Sequence, residues 1–240
     1  MNSAVSPPRL LAKANLLEKF RFYRVKYGVI HTLAAYIGRK SPRIWEVLGA
    51  TVTRSYVRRY LSQSRSPMLN LACGSHCIDG FLNVDIDARA DAYTDITRPL
   101  PFPNSSFAGI FCEEVLEHVN KNTGQQMLTE CWRVLKPGGV LRITTPSLEY
   151  FAQKLETDPL GTDPLGEAIN EIFYGHCHRH IYSQLALRDA LAQAGFATIR
   201  WSYYRDESSQ IGEYDSHPIR FSHPPAQSHY VEATKQPKSS

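Results

Sequence analysis

Two carboxylates behind a run of small residues set the first chemistry to consider. Leu69-Asn-Leu-Ala-Cys-Gly74 is an apolar run that closes on a small-residue turn, and Leu82-Asn-Val-Asp-Ile-Asp87 is a second apolar run that closes on acids. In a βαβ unit of this kind the small residues let the backbone approach a ligand, and an acid at the tip of the next strand accepts hydrogen bonds from ribose hydroxyls. The pair points to a ligand with a nucleoside part. A second set is the run His176-Cys-His-Arg-His180, whose imidazoles and thiol are of the types that ligate zinc or another divalent ion. Positions 176, 178 and 180 share one face only in an extended segment, and no Cys-x-x-Cys or carboxylate group accompanies them. Spacing therefore assigns them no metal.

The elements that must hold these residues follow from periodicity. Apolar runs predict strands at 68–72, 81–85, 108–112 and 140–145. Met127, Leu128, Cys131, Trp132 and Leu135 recur at helical spacing, with Thr123 and Gln126 as a capping box. Lys136-Pro-Gly-Gly139 reads as the turn that ends this helix, its glycines allowing positive φ, and not as a phosphate loop. Ser183 reads as the N-cap of a last helix closed by Gly195, followed by strands at 196–204 and 228–234 around a long polar loop, 205–227. Residues 9–61 read as two or three helices broken near Gly28 and at Ser41-Pro42. Their apolar positions include Leu10, Leu11, Leu16, Leu17, Phe20, Val25 and Ile30, with Arg21, Arg24, Lys26, Arg39, Lys40 and Arg43 between them. They fit a solvated helical cap, a lid, a dimer surface or a membrane-surface helix. Residues 75–82 are few for a parallel crossover, which normally needs about a dozen, so the first crossover helix is expected to shrink to a turn.

Asp95 after a polar stretch, Pro99-Leu-Pro-Phe-Pro-Asn-Ser-Ser-Phe107, Ala108-Gly-Ile-Phe-Cys112 leading into Glu113-Glu-Val-Leu-Glu-His-Val119, and Lys136-Pro-Gly-Gly139 follow the two opening runs in order. From about Asn70 to about Phe196 the chain thereby resembles the class I S-adenosylmethionine-dependent methyltransferases, specifically the type 11 methyltransferase domain. The resemblance implies an α/β fold. Its sheet would be Rossmann-like, doubly wound, mostly parallel and seven-stranded with an antiparallel last strand. An N-terminal helical extension (1–65) would precede the methyltransferase domain (66–240). It implies S-adenosylmethionine as cofactor, with Asn70, Ala72, Cys73 and Gly74 around its methionine and ribose end and Asp85 on the ribose hydroxyls. Asp95 and Ile96 would flank the adenine, Ile86 would be a further cofactor contact, and Cys112 and Glu113 would face the sulfonium and the acceptor. Ala72 and Ser75 stand where the family commonly has glycine. A base is needed only where a hydroxyl must lose its proton, and the candidates are Glu114, His118, His178 and His180. Arg142 and Arg179 are candidates for a carboxylate or phosphate on the acceptor.

Composition agrees. A chain of 240 residues, 42% hydrophobic, can bury one substantial core. The formal net charge of +4 is mild and concentrated before residue 65, so no nucleic-acid partner is expected. Five cysteines without framework spacing imply a reducing compartment, and the N-terminus lacks the order of a signal peptide, so the expectation is a cytoplasmic protein, without a transmembrane segment, that can form a homodimer. The reading is a methyltransferase acting on a small-molecule acceptor, first a hydroxyl of a sugar or natural product, with no metal. The alternatives are a protein or nucleic-acid acceptor and a non-catalytic S-adenosylmethionine-binding regulatory protein. A nicotinamide-dependent reductase would lack its Gly-x-Gly-x-x-Gly loop.

Overall fold

The computed structural model describes residues 24–157 and 170–237, together with Glu18 and Gly166. The expectations for Leu10, Leu11, Leu16, Leu17, Phe20 and Arg21 lie outside them. Seven strands, β1 (Met68–Leu71), β2 (Leu82–Asp85), β3 (Ala92–Tyr93), β4 (Phe107–Glu113), β5 (Leu135–Pro146), β6 (Thr198–Trp201) and β7 (Ser228–Thr234), follow the order β3-β2-β1-β4-β5-β7-β6. This is the mostly parallel α/β class expected, with β7 antiparallel. Among the described residues no helix is long and apolar enough to cross a membrane. The chain divides into two compact units, Met1–Asp95 and Ile96–Ser240.

In the first unit, Gly28 at φ +88° heads α1 (Val29–Lys40), and Pro42 occupies the first turn of α2 (Pro42–Gln63), so both breaks fall where the sequence places them. Trp45 of α2 is buried, and a Cβ on Gly49 would lie 2.6 Å from Cβ of Tyr93, so only glycine lets the helix approach β3 this closely. Strands β1, β2 and β3 pair in parallel, Asn70 opposite Asn83 and Asp85 opposite Tyr93. The short β3 has no counterpart in the sequence reading, because two residues carry no periodicity. Between β1 and β2 there are turns and no helix, as the short spacing requires.

Beneath the β1 turn lies a polar network. Asn83 donates its side-chain amide to Asp91 Oδ2 at 2.8 Å and its backbone N–H to the same oxygen at 3.0 Å. Asp91 also accepts from Lys26 Nζ at 2.9 Å and from the Tyr27 hydroxyl. Above it, His31 is buried against the rings of Tyr27, Tyr56 and Trp45, and Nδ1 has no hydrogen-bond partner. Burial pushes its pKa down to about 4; Asp91 favours the proton, while Lys26 and Arg59 oppose it. The folded pKa lies below the unfolded one, so the unfolded chain binds the extra proton between about 6.5 and 4, and stability falls as pH drops through that window. Urea midpoints of wild type and His31→Gln from pH 7 to 4 should converge as the pH falls, by up to about 1.4 kcal/mol per pH unit. A constant difference between the two would contradict this.

In the second unit β4 pairs with β5 in parallel, and β5–β7–β6 is antiparallel, with Ile143 opposite Val231 and Val231 opposite Trp201. Lys136–Gly139 is a bulge inside β5 and not a free turn: the register passes from Phe107 opposite Leu135 to Gly109 opposite Val140, with Gly138 at φ +79°. Helix α3 (Lys121–Val134) starts two residues before the expected box, because Asn120 Oδ1 accepts the Thr123 N–H at 3.0 Å and is the actual cap. Helix α4 (Leu148–Thr157) follows β5. Ser183 caps α5 (Gln184–Gln193) through the Ala186 N–H, and Gly195 closes it at φ +106°, as expected. The 196–204 strand shrinks to β6, whereas 228–234 is β7 to the residue.

The 205–227 segment is organised where the sequence shows only a polar loop. It contains the helical turn Gly212–Tyr214 and the short helix α6 (His217–Phe221). Residues of four strands fasten it: Arg200 of β6 holds Asp206 at 2.5 Å, Glu232 of β7 accepts from the Ser209 hydroxyl, and β5 and β4 supply Arg142 and Glu113. Arg142, fully buried on β5, forks onto Asp215 at 2.7 and 2.5 Å, and also donates to Glu232 at 3.1 Å and to the carbonyl of Tyr203 at 2.9 Å. Arg142 is therefore committed to the interior and is not available to an acceptor. Glu113 at the end of β4 accepts from Ser216 N at 2.6 Å, Ser216 Oγ at 2.8 Å, His217 N at 2.9 Å and Arg220 Nη2 at 2.9 Å.

Candidate active site

In the first unit the turn after β1 has the geometry of a ligand cradle. Ala72 and Gly74 both adopt φ +53°, the left-handed region that costs an alanine about 1 kcal/mol or more, so alanine at position 72 keeps the shape a glycine would give, at some strain. Gly74 N–H donates to Asp85 Oδ2 at 2.8 Å, and Asp87 N–H donates to Oδ1 at 2.8 Å. These bonds orient the carboxylate at the tip of β2 and leave each oxygen a further acceptor site. A Cβ on Gly74 would meet nothing within 4 Å, so there is space above the turn. Ile86, 63% exposed, lines a cleft of about 510 Å³ with Gly38, Trp45 and Arg89. An apolar side chain beside an oriented carboxylate suits an adenosine group, so the residues fit the expected cofactor.

The other expected contacts of this unit are placed differently. The Asn70 amide is buried and donates to the carbonyl of His76 at 2.7 Å and to Asn83 Oδ1 at 2.9 Å, so it shapes the turn from below. Cys73 is buried with its thiol against Cys77, which together with burial raises its pKa. Asp95 is half-buried at the end of the unit.

In the second unit Ile96 is half-buried. Cys112 is fully buried and burial raises its thiol, so it is a core side chain, contrary to the expectation that it faces the acceptor. Glu113 likewise departs from its expected role, because its carboxylate accepts from Ser216, His217 and Arg220. Glu114 follows at φ +52°, buried, with Oε1 unpartnered; burial pushes its carboxyl up to about 7.

Beyond Glu114 the helical turn Leu116–His118 carries the acid and histidine of the Glu-His pair. The carbonyl of Glu117 accepts the N–H of Arg179 at 2.7 Å and of His180 at 3.2 Å, which lays the histidine-rich run along this turn. As a result Glu117 Oε1 lies 3.9 Å from Nε2 of His118 and 3.9 Å from Nε2 of His178, and the two rings meet edge to face at 4.7 Å between centroids. Burial, with the neighbouring Glu114 charge, raises the Glu117 carboxyl well above its usual value. Burial lowers both imidazoles, His178 to about 4. His180 turns away and packs on Tyr182 at 4.4 Å, and His176 stacks on His178 at 5.6 Å. Of the candidate bases, the structure brings His118 and His178 together and sets His180 apart. Glu117 was missed: inside an apolar-looking Val-Leu-Glu-His turn its acid has no local signal, and only the pairing with residues 179 and 180 reveals its neighbours.

Residues 82–143 match the family model of a methyltransferase domain. A probable S-adenosylmethionine-dependent methyltransferase of Mycolicibacterium smegmatis is 33% identical over 82 residues, 33% of this chain and 31% of that protein. The chain thus spans about a third of the length of this curated relative. Among solved structures, an S-adenosylmethionine-dependent methyltransferase from Archaeoglobus fulgidus is 16% identical, covering 90% of this chain and 99% of its own, with a TM-score of 0.46. One from Mesorhizobium loti is 16% identical, covering 75% and 97%, with a TM-score of 0.48.

Proposed function

We propose that this chain, whose residues 82–143 belong to the methyltransferase domain family, is an S-adenosylmethionine-dependent methyltransferase whose acceptor is a small molecule carrying a hydroxyl. The observation that carries the reading is the match over β2 to β5 together with the oriented Asp85 carboxylate at its start. Bound S-adenosylmethionine supplies a methyl group that is already strongly electrophilic. The chain's own work is then to bind, align and exclude water. Asp85 would accept the ribose hydroxyls, Gly74 would let the backbone come close, and Ile86 would cover one face of the adenine. In the second unit, His118 and His178 would meet the acceptor, and a neutral imidazole there can take a hydroxyl proton. The mild net charge supports a small acceptor over a nucleic acid.

Calorimetric titration of the full chain with S-adenosylmethionine and S-adenosylhomocysteine tests the cofactor half. Binding is expected, and Asp85→Asn should weaken it about 10- to 100-fold, the scale of a charge-assisted hydrogen bond pair. If neither ligand binds, or if the variant binds as well as wild type, the assignment falls. Methyl transfer to sugars and natural products, followed by mass spectrometry, tests the acceptor; transfer only to protein or RNA would replace the small-molecule reading.

A further inference from the structure

We propose that Glu117, His118 and His178 form a binding site for a first-row divalent metal ion of the zinc, cobalt or manganese kind, with coordination positions left for water or an oxygen ligand.

One ligand atom from each residue lies within 4.8 Å of the other two, and Glu117 Oε1 is 3.9 Å from both Nε2 atoms. Ligands about 2.1 Å from a tetrahedral ion sit about 3.4 Å apart, so closing the shell takes about half an ångström on each Glu117 edge and a rotation of the part-exposed His118 ring to bring the two imidazole nitrogens, up to 4.8 Å apart, to the same separation. The chemistry of the set, two imidazoles and one carboxylate on one side, suits borderline ions better than magnesium, which prefers oxygen ligands. Three protein ligands also leave open positions, the feature that separates catalytic from structural metal sites.

An independent observation points to a ligand here. The Glu117 side chain is fully buried, and its Oε1, the atom facing both imidazoles, has no nitrogen or hydroxyl donor; the neighbouring Glu114 carboxyl, whose Oε1 also lacks a donor, can only share a proton with the Glu117 side chain, which an ion would displace. The His178 side chain is 8% exposed with an unpartnered Nδ1. A buried carboxylate oxygen left without a donor is costly unless something positive reaches it, and a metal ion does so directly. The support around the set is built. Thr145 Oγ1 donates to the other oxygen of Glu117 at 2.9 Å, fixing the carboxylate as an outer-shell partner does. The Arg179 and His180 N–H groups hold the segment bearing His178 on the carbonyl of Glu117 itself. His118, 44% exposed at its side chain, opens the site to solvent, so an ion has a way in.

Resting on the methyltransferase reading above, one consequence is that the loaded ion would replace the free imidazole as the activating group: it would bind an oxygen of the acceptor and lower the pKa of a hydroxyl there, whose proton leaves to solvent. The binding claim does not depend on that reading.

The test uses full-length, tag-free, chelator-treated protein without S-adenosylmethionine. Cobalt(II) titration followed by visible absorption, and zinc(II) titration by calorimetry, should each show one equivalent bound, and zinc should raise the melting temperature. His118→Ala, at a part-exposed position that does not threaten folding, and Glu117→Gln should each weaken binding at least tenfold, while His180→Ala should bind as wild type does. No stoichiometric binding of cobalt, zinc or manganese overturns the proposal. So does binding that survives both His118→Ala and Glu117→Gln, or binding lost equally in His180→Ala. S-adenosylmethionine affinity of the metal-free protein, measured in parallel, fails or holds separately, so a failed cofactor reading remains distinguishable from a failed metal site.

Discussion

Replacing Arg142 by methionine should cost about 3–5 kcal/mol of unfolding free energy, because the substitution leaves the fully buried Asp215 carboxylate without its counter-charge. The guanidinium fork supplies both oxygens of Asp215 and also reaches Glu232 and the Tyr203 carbonyl, so one truncation strands several buried acceptors. Much of this penalty belongs to the unpaired charge and not to the pair. Arg142→Met combined with Asp215→Leu should therefore recover about half of the loss, as apolar replacement of a buried ion pair generally does. Urea denaturation of the three variants decides it. A single-variant loss under about 1 kcal/mol would mean that water reaches Asp215 and the fork contributes little.

Asp91→Ala should cost about 3 kcal/mol or more in the first unit. It removes the acceptor of the Asn83 backbone and side-chain groups, and leaves Lys26 and the Tyr27 hydroxyl without their buried partner. The effect should extend to ligand binding. Asn83 Oδ1 accepts from Ile78 N and from the Asn70 amide, which together hold the turn carrying Ala72 and Gly74. Loss of the anchor should thus weaken S-adenosylmethionine binding in calorimetry even under conditions where the variant stays folded. Full-strength binding by a folded Asp91→Ala protein would show that the turn holds its shape without the network.

The parts of the fold legible in the sequence are those whose cause is local. Strand β7 at Ser228–Thr234, the Ser183 cap with the Gly195 stop, and the breaks at Gly28 and Pro42 each depend on a residue's own conformational preference or on a periodicity a few residues long. At the start of α3 two local signals competed, and Asn120 won over Thr123 because its extended backbone aims the side-chain oxygen at the Thr123 N–H. Long-range pairings were not legible. Arg142 reads as a candidate for an anionic group on the acceptor, yet its carboxylate partner is Asp215, 73 positions away. The acid of the Glu-His pair gains its neighbours from a segment some sixty residues later through two backbone hydrogen bonds, which no side-chain pattern encodes. In the candidate site, the turn at Gly74 and the strand tip at Asp85 are local features and stand where the sequence puts them, whereas the burial of Cys112 and the ties of Glu113 to residues 216–220 are not legible, because position at a strand end does not say which way a side chain is committed.

The fastening of residues 203–220, by Arg142 through Asp215, by Glu113 through Ser216 and Arg220, by Arg200 through Asp206 and by Glu232 through Ser209, constrains how this protein can diversify. A segment tied to strands at both ends and in its middle behaves as a cartridge: the exposed Glu207 and Gln210 can change, while Asp206, Ser209, Asp215 and Ser216 cannot. Transplanting the segment into a related chain would fail unless Asp215 and Ser216 travelled with it and met an arginine and a glutamate at the receiving strands. Variation confined to Glu207 and Gln210 would leave the fold intact.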